Sequence, residues 1–77
     1  MNLNVLTEKI IGCAIEVHRN IGPGLLESVY EAALCIELDN ACLKFARQKV
    51  LPVKYKNQVI GDFRIDILVE DSVVIEL

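Results

Sequence analysis

The sequence lacks a long apolar run, a signal peptide and an excess of basic residues. Its apolar runs are too short to span a bilayer, and its first six residues carry neither the positive charge nor the cleavage site of a signal peptide. We therefore expect a cytoplasmic protein without membrane contact. Eight Lys and Arg residues against eleven Asp and Glu residues give a net charge of -3. A dedicated nucleic-acid-binding protein is more basic, so any contact with DNA or RNA would have to be local.

Cys-x-x-Cys spacing is also missing, although the chain has three cysteines, Cys13, Cys35 and Cys42. All three fall in segments with a helical pattern, which indicates reduced, packed thiols rather than a disulfide framework. A zinc site built from Cys35, Cys42 and His18 is the alternative, but its spacing matches no common zinc pattern.

The 77 residues are 53% hydrophobic and 25% charged, which is typical of a folded domain and excludes disorder. We interpret residues 1–77 as a single domain. A chain of this size buries only about 60% of the surface that its unfolded form exposes, so its stability is marginal without outside support. We therefore expect a homodimer or another form of self-association.

Apolar periodicity predicts two helices followed by three strands. The helices span Thr7 to Asn20, with Thr7 as the N-cap, and Leu25 to Asn40, with a Gly-Pro-Gly corner between them. After residue 44 the period becomes two, and Pro52 marks the first strand as an edge strand or a bulged one.

A turn at Asn57-Gln58 leads into the clearest strand, whose apolar face consists of Val59, Phe63, Ile65, Ile67 and Val69. Residues 70–72 form the next turn, and a third strand begins at residue 73. This order predicts an α+β fold in which two N-terminal helices pack on an antiparallel three-stranded β-meander. The chain ends inside an apolar strand, so we expect a truncated domain.

Three acidic residues are candidates for chemistry. The helical wheel turns Glu27 toward the leucines of the second helix, although a position in the first turn also allows a simple interaction with the helix dipole. Glu37 falls on the same arc and is a rival. Asp66 interrupts the best strand, where Asp is disfavoured unless its face is wet or paired, for example with Arg64. Glu76 is the only charge in the third strand.

An odd-numbered turn at residues 70–72 would set Asp66 opposite Glu76 and project both carboxylates from one face of the sheet. The helix that carries Glu27 could then cover that face. Such a wall of hard oxygen ligands suits Mg²⁺ or Mn²⁺, which can activate water for phosphodiester hydrolysis.

Several segments of the chain together resemble the GxxExxY family of small bacterial proteins. The naming motif is matched by Gly24, Glu27 and Tyr30. Further matching segments, in the order and spacing of that family, are residues 11–18, 47–48, 51–53 and 55–56, Gly61, Arg64, Asp66 and residues 74–77. The resemblance covers nearly the whole chain and implies the PD-(D/E)XK nuclease-like superfamily.

The resemblance implies that Asp66 and Glu76 are the two acidic metal ligands and that Glu27 is the helical acid of the catalytic set. Ile65 stands where the superfamily name has proline. The motif lysine, which would position the attacking water, would follow Leu77, and the family's later helix and strand are also missing. The resemblance therefore implies an incomplete PD-(D/E)XK core whose catalysis is impaired.

Four further side chains are candidates for supporting roles. Tyr30 either hydrogen-bonds the site or is a core aromatic residue with a satisfied hydroxyl. Gln48 and Arg64 either orient a phosphate or decorate their strands. His18 is either a general base or a packed histidine near the end of the first helix.

The sequence is consistent with three functions. The first is a metal-dependent nuclease-like enzyme, active or degenerate. The second is a non-catalytic interaction module that associates with itself through the unfinished sheet edge. The third is a truncated product without independent activity.

Overall fold

The computed structural model describes residues 1–77 as two helices followed by a three-stranded sheet. The elements are α1 (Leu3–Ile21), α2 (Glu27–Asn40), β1 (Phe45–Tyr55), β2 (Gln58–Val69) and β3 (Val73–Ile75). The strand order is β1-β2-β3, and both neighbouring pairs are antiparallel. The predicted α+β meander is confirmed, and β1, which contains Pro52, is an edge strand as expected. Neither helix is both long enough and apolar enough to cross a membrane.

Helix α1 begins four residues earlier than predicted. Its N-cap is Asn2, whose Oδ1 accepts a hydrogen bond of 2.9 Å from the Val5 backbone N–H. The assignment of Thr7 as the cap was wrong because the buried stripe of α1 already includes Leu6, one residue before it. Asn caps a helix at least as well as Thr, so the N-terminal end offered a competing start signal.

The corner between the helices is fixed by Tyr30. Its hydroxyl donates a hydrogen bond to the Gly22 carbonyl and accepts one of 3.3 Å from the Leu25 N–H. Gly22 and Gly24 both have positive φ, at 66° and 94°, which favours glycine at these positions. Because Leu25 belongs to this corner, α2 begins at Glu27 rather than at Leu25.

One hydrophobic core joins both helices to the inner half of the sheet. Its ten buried members are Leu6, Ile10, Cys13, Val17, Leu34, Cys35, Leu38, Leu43, Ile67 and Val69. Along β2, Ile65, Ile67 and Val69 alternate with less buried neighbours, as the period of two predicts.

The outer half of the same strand is not covered. Phe63 is 50% exposed and Val59 is 61% exposed, so the predicted apolar face of β2 is buried only at the end of the strand near the helices. Every residue from Ala46 through Arg64 is exposed. The β1–β2 hairpin therefore extends beyond the helices.

The hairpin turn lies one residue earlier than predicted. Lys56 and Asn57 have φ of 49° and 65°, and Gln58 already pairs with Tyr55 as the first residue of β2. Two central residues with positive φ are typical of a type I′ turn, which suits the twist of a two-residue hairpin.

The three thiols are free, and they have different surroundings. Cys13 and Cys35 are buried in the core, as predicted, and burial raises the pKa of both. The nearby Glu37 carboxylate also raises the pKa of Cys13. Cys42 was wrongly placed among the packed helical thiols. It is exposed and lies after the end of α2, with φ of 61°.

Leu38→Ala tests the core, because Leu38 is fully buried at 0% exposure. We expect the substitution to lower the free energy of unfolding by about 2–5 kcal/mol, since it removes buried methyl groups and leaves a cavity. Ile36→Ala on the same helix is the matched control at 61% exposure, and its effect should stay within about 0.5 kcal/mol. Urea unfolding followed by circular dichroism measures both, and equal losses would contradict this core.

The buried thiols also predict a loss of stability at alkaline pH. The folded-state pKa values of Cys13 and Cys35 are raised, so the unfolded chain releases these protons first, above about pH 8.5. The free energy of unfolding should therefore be independent of these groups below that pH and fall as the pH rises above it. Cys35→Ala should reduce this fall, whereas Cys42→Ala should leave it unchanged. Urea titrations at a series of pH values measure it, and an unchanged slope in Cys35→Ala would refute the assignment.

Candidate functional site

The β2–β3 register is the one that an odd-numbered turn predicts. Residues 70–72 connect the strands, and the ladder pairs Val69 with Val73, Leu68 with Val74 and Ile67 with Ile75. Continued by one residue, this register places Asp66 opposite Glu76, although β3 itself ends at Ile75.

Asp66 is held by hydrogen bonds to both of its carboxylate oxygens. Oδ2 accepts a hydrogen bond of 2.8 Å from the Leu77 backbone N–H. Oδ1 accepts a longer one of 3.5 Å from Nε2 of Gln48. The side chain is half-buried, so these contacts fix its position beside the end of the sheet. A carboxylate has about four acceptor positions, so the oxygens keep free lone pairs for a ligand.

Next to Asp66 lies a buried carboxylate that the sequence reasoning missed. Glu31 of α2 is only 8% exposed. Its Oε2 accepts a hydrogen bond of 2.9 Å from the Arg47 guanidinium, and its Oε1 accepts one of 2.7 Å from Nε2 of Gln48. Glu31, Arg47, Gln48 and Asp66 form one connected group, here called the Glu31 cluster. The hydrogen bond with Glu31 raises the pKa of Arg47 above its ordinary value.

Gln48 adopts an uncommon backbone conformation in the middle of β1, with φ of 52°. The ladder pairs on either side, Arg47 with Ile67 and Lys49 with Ile65, keep a single register. The irregularity is therefore confined to Gln48. A left-handed residue other than Gly costs about 1–3 kcal/mol, and such residues concentrate at functional sites. Here the irregular residue is the one whose amide connects Glu31 to Asp66.

A cleft of about 210 Å³ opens beside the Glu31 cluster. Its lining residues are Glu27, Ser28, Glu31, Gln48, Asp66 and Leu77. The structure thus brings Glu27 and Asp66 to one cleft, although Glu27 is exposed rather than turned into the core as the wheel suggested. Glu76 is exposed and does not line this cleft, so its role as a ligand stays a prediction.

The four predicted supporting residues do not lie together in one site. Gln48 belongs to the cleft. Tyr30 and His18 line a different, mainly apolar groove of about 150 Å³, and the Tyr30 hydroxyl is already engaged by the corner between the helices. Arg64 is exposed and pairs with no carboxylate, so the expected pairing with Asp66 does not form. Glu37 lies away from the cleft, beside Cys13.

The donor chemistry of the cleft fits a hard divalent cation. No group of three or more His, Cys, Asp or Glu side chains is arranged to hold a metal ion, and the alternative zinc set of Cys35, Cys42 and His18 is not assembled. Mg²⁺, however, is usually held by only one or two carboxylates, with waters and substrate phosphates completing its octahedron. Asp66 and Glu27 offer carboxylate oxygens of this kind on one cleft.

Helical spacing was the signal that could have revealed Glu31. It lies four residues after Glu27 and three before Leu34, on the stripe that the core leucines define. A buried carboxylate requires a charged or polar partner. For Glu31 this partner is Arg47, which lies near the start of β1. Sequence alone could not show that Gln48 would adopt positive φ.

Comparison with known proteins identifies the class of domain that this chain forms. A family model described as the PD-(D/E)XK nuclease superfamily matches residues 4–77. The chain belongs to the PD-(D/E)XK nuclease superfamily. Searches of curated proteins and of solved structures found no match.

Arg47→Met tests the Glu31 cluster. We expect it to lower the free energy of unfolding more than Arg64→Met does, because Arg47 is the only charged donor to the buried Glu31 carboxylate whereas Arg64 has no partner. Urea unfolding at neutral pH measures the difference. The effect of Arg47→Met should shrink in a Glu31→Gln background, and additive effects of the two substitutions would disprove the coupling.

Proposed function

We propose that the chain is a metal-dependent phosphodiesterase of the nuclease type and a member of the GxxExxY group of bacterial proteins. The observation that carries this proposal is the position of Asp66. It is half-buried, its two oxygens are fixed by Leu77 and Gln48, and it shares a cleft with the exposed carboxylate of Glu27. Membership of the nuclease superfamily supports the same reaction class.

The proposed roles follow from the resemblance and from the contacts. Asp66 and Glu76 hold Mg²⁺ or Mn²⁺, and Glu27 assists from the first turn of α2. When bound, the ion activates water and neutralises the charge that develops on the phosphate. The fixed position of Asp66 reduces the reorganisation needed to bind the ion. Glu31 acts through Gln48, so it is a positioning residue rather than a ligand.

The proposed substrate is a nucleic acid, bound in the cytoplasm. The net charge of -3 does not favour extensive contact. A local contact is available because Arg64 precedes Asp66 by two residues on β2, so the two side chains share one face of the strand. Arg64 has no carboxylate partner and is free to meet a phosphate.

A second candidate is a non-catalytic module that associates with itself through β3. The observation in its favour is that β3 pairs only with β2, which leaves its other backbone edge without a partner. Such an edge can pair with a second chain. The segment has only three residues, which limits the contribution of this edge on its own.

Calorimetric titration with Mn²⁺ tests the metal site. We expect saturable binding by the 77-residue chain that weakens at least roughly tenfold in Asp66→Asn, because the amide removes the anionic ligand. Asp62→Asn is the matched control, since it removes one exposed carboxylate from the same strand. Its binding should match that of the parent chain.

Equal binding by the parent chain and Asp66→Asn would refute the metal site.

Hydrolysis is measured separately, because the motif lysine is not among residues 1–77. Labelled DNA and RNA are incubated with Mn²⁺, with EDTA as the control. Metal-dependent cleavage that is lost in Asp66→Asn supports the phosphodiesterase. Cleavage that persists in Asp66→Asn assigns the activity to another source.

A further inference from the structure

The outer part of the β1–β2 hairpin, residues 49–64, is exposed along its entire length. This segment, here called the arm, includes seven large apolar residues that the structure leaves in solvent: Val50, Leu51, Val53, Tyr55, Val59, Ile60 and Phe63. Isolated exposed apolar residues are ordinary, but a contiguous set on one hairpin marks an interaction surface.

One face of the arm continues the face of the sheet that meets the core. Ile65 and Ile67 of β2 are buried, and Phe63 follows them on the same face with the period of two. Phe63 pairs with Leu51, and Gly61 pairs with Val53. Cross-strand partners share a face, so the core face extends along the arm as an uncovered apolar strip. Here this strip, consisting of Leu51, Val53 and Phe63, is called the arm face.

The accessible surface area of the whole chain is larger than that of a compact monomer of the same mass. The accessible area is 5592 Å², whereas a compact monomer of this mass exposes about 4,700 Å². The excess of about 900 Å² is close to the roughly 800 Å² that each partner buries in a standard protein interface. The radius of gyration, 14.2 Å, also exceeds the about 11.5 Å of a compact domain of this length.

Charge indicates what covers the arm face. The arm carries Lys49, Lys54, Lys56 and Arg64 against one carboxylate, Asp62, for a net charge of +3. Helix α1 carries two acidic residues, Glu8 and Glu16, against two basic ones, Lys9 and Arg19, and is therefore neutral. Arm against arm would bring like charges together, whereas arm against α1 avoids this repulsion.

The helical layer also presents apolar side chains that can meet the arm face. Ile11 and Ile15 of α1 are 52% and 53% exposed, and they lie one turn apart on a single helix face. We propose that a second copy of this chain covers the arm, with the arm face of each copy against α1 of the other. A two-fold arrangement makes both contacts at once, so it closes as a dimer.

This interface is independent of the proposed hydrolysis, because it uses none of the cleft residues. It also differs from pairing at the β3 edge. The two interfaces can therefore be separated by substitution.

Sedimentation velocity from micromolar to millimolar concentration tests the proposal. The parent chain should form a dimer, and Leu51→Gln/Phe63→Gln should raise the dissociation constant at least roughly tenfold, as expected for central interface residues. Val50→Gln is the matched control, because Val50 is the neighbour of Leu51 on the opposite face and is similarly exposed. Its dissociation constant should be unchanged. Ile15→Gln tests the partner surface on α1 and should weaken the dimer as well.

Three results would overturn the proposal. The first is a parent chain that stays monomeric over the whole concentration range. A monomer that binds a fluorescent oligonucleotide through the arm lysines would count as the same result. The second is equal weakening by Val50→Gln and Leu51→Gln/Phe63→Gln, which indicates unspecific association. The third is a dimer that resists the arm and α1 substitutions but is lost in Val74→Pro, which assigns the interface to β3. Circular dichroism of each variant establishes that it is folded.

Discussion

The buried carboxylate of Glu31 is the contact on which the arrangement of helix, sheet and cleft depends. A charge at 8% exposure requires charged or polar partners. Both partners, Arg47 and Gln48, come from β1, so α2 can dock on the sheet only in the orientation that satisfies them. Gln48 then reaches Asp66 on β2. One buried acid thus determines both the packing of α2 and the position of the acid that we propose as a metal ligand.

The β1–β2 hairpin extends beyond the helices, which limits the size of the core. Only the inner half of β2 meets the helices, and only 12 of the 77 residues are buried. A core this small leaves little stability in reserve, because a small domain buries a low fraction of its surface. The same strand therefore serves two purposes along its length, with Asp66 beside the core and Phe63 on the uncovered arm. A partner on the arm would add the burial that the single chain lacks.

Local patterns were sufficient for the element order but not for the boundaries. The apolar stripes of α1 and α2 and the alternation around Ile65 and Ile67 follow directly from helical and strand periods. The cap at Asn2 was missed because two good capping residues lie near one another, and only packing decides between them. The exposure of the arm could not be predicted, because alternation shows which residues share a face and not whether another element covers that face.

The candidate site was predictable only in part, because local patterns reveal unusual residues but not their distant partners. Asp66 was found because a carboxylate is unusual inside an apolar strand. Glu31 was overlooked in favour of Glu27, although both lie on the stripe of the core leucines, because burial depends on a partner from a distant strand. The positive φ of Gln48 has no local signal, since that residue has no special preference for it.

Paramagnetic broadening of backbone amide signals by Mn²⁺ shows where the ion binds, because the effect falls steeply with distance from the ion. Substoichiometric Mn²⁺ should first broaden the amides of Ser28, Gln48, Asp66 and Leu77, which surround the cleft. Signals from Lys56 and Asn57 at the hairpin tip should persist. Selective broadening at the acidic turn of Glu70 and Asp71, with the cleft signals intact, would contradict a metal site in the cleft.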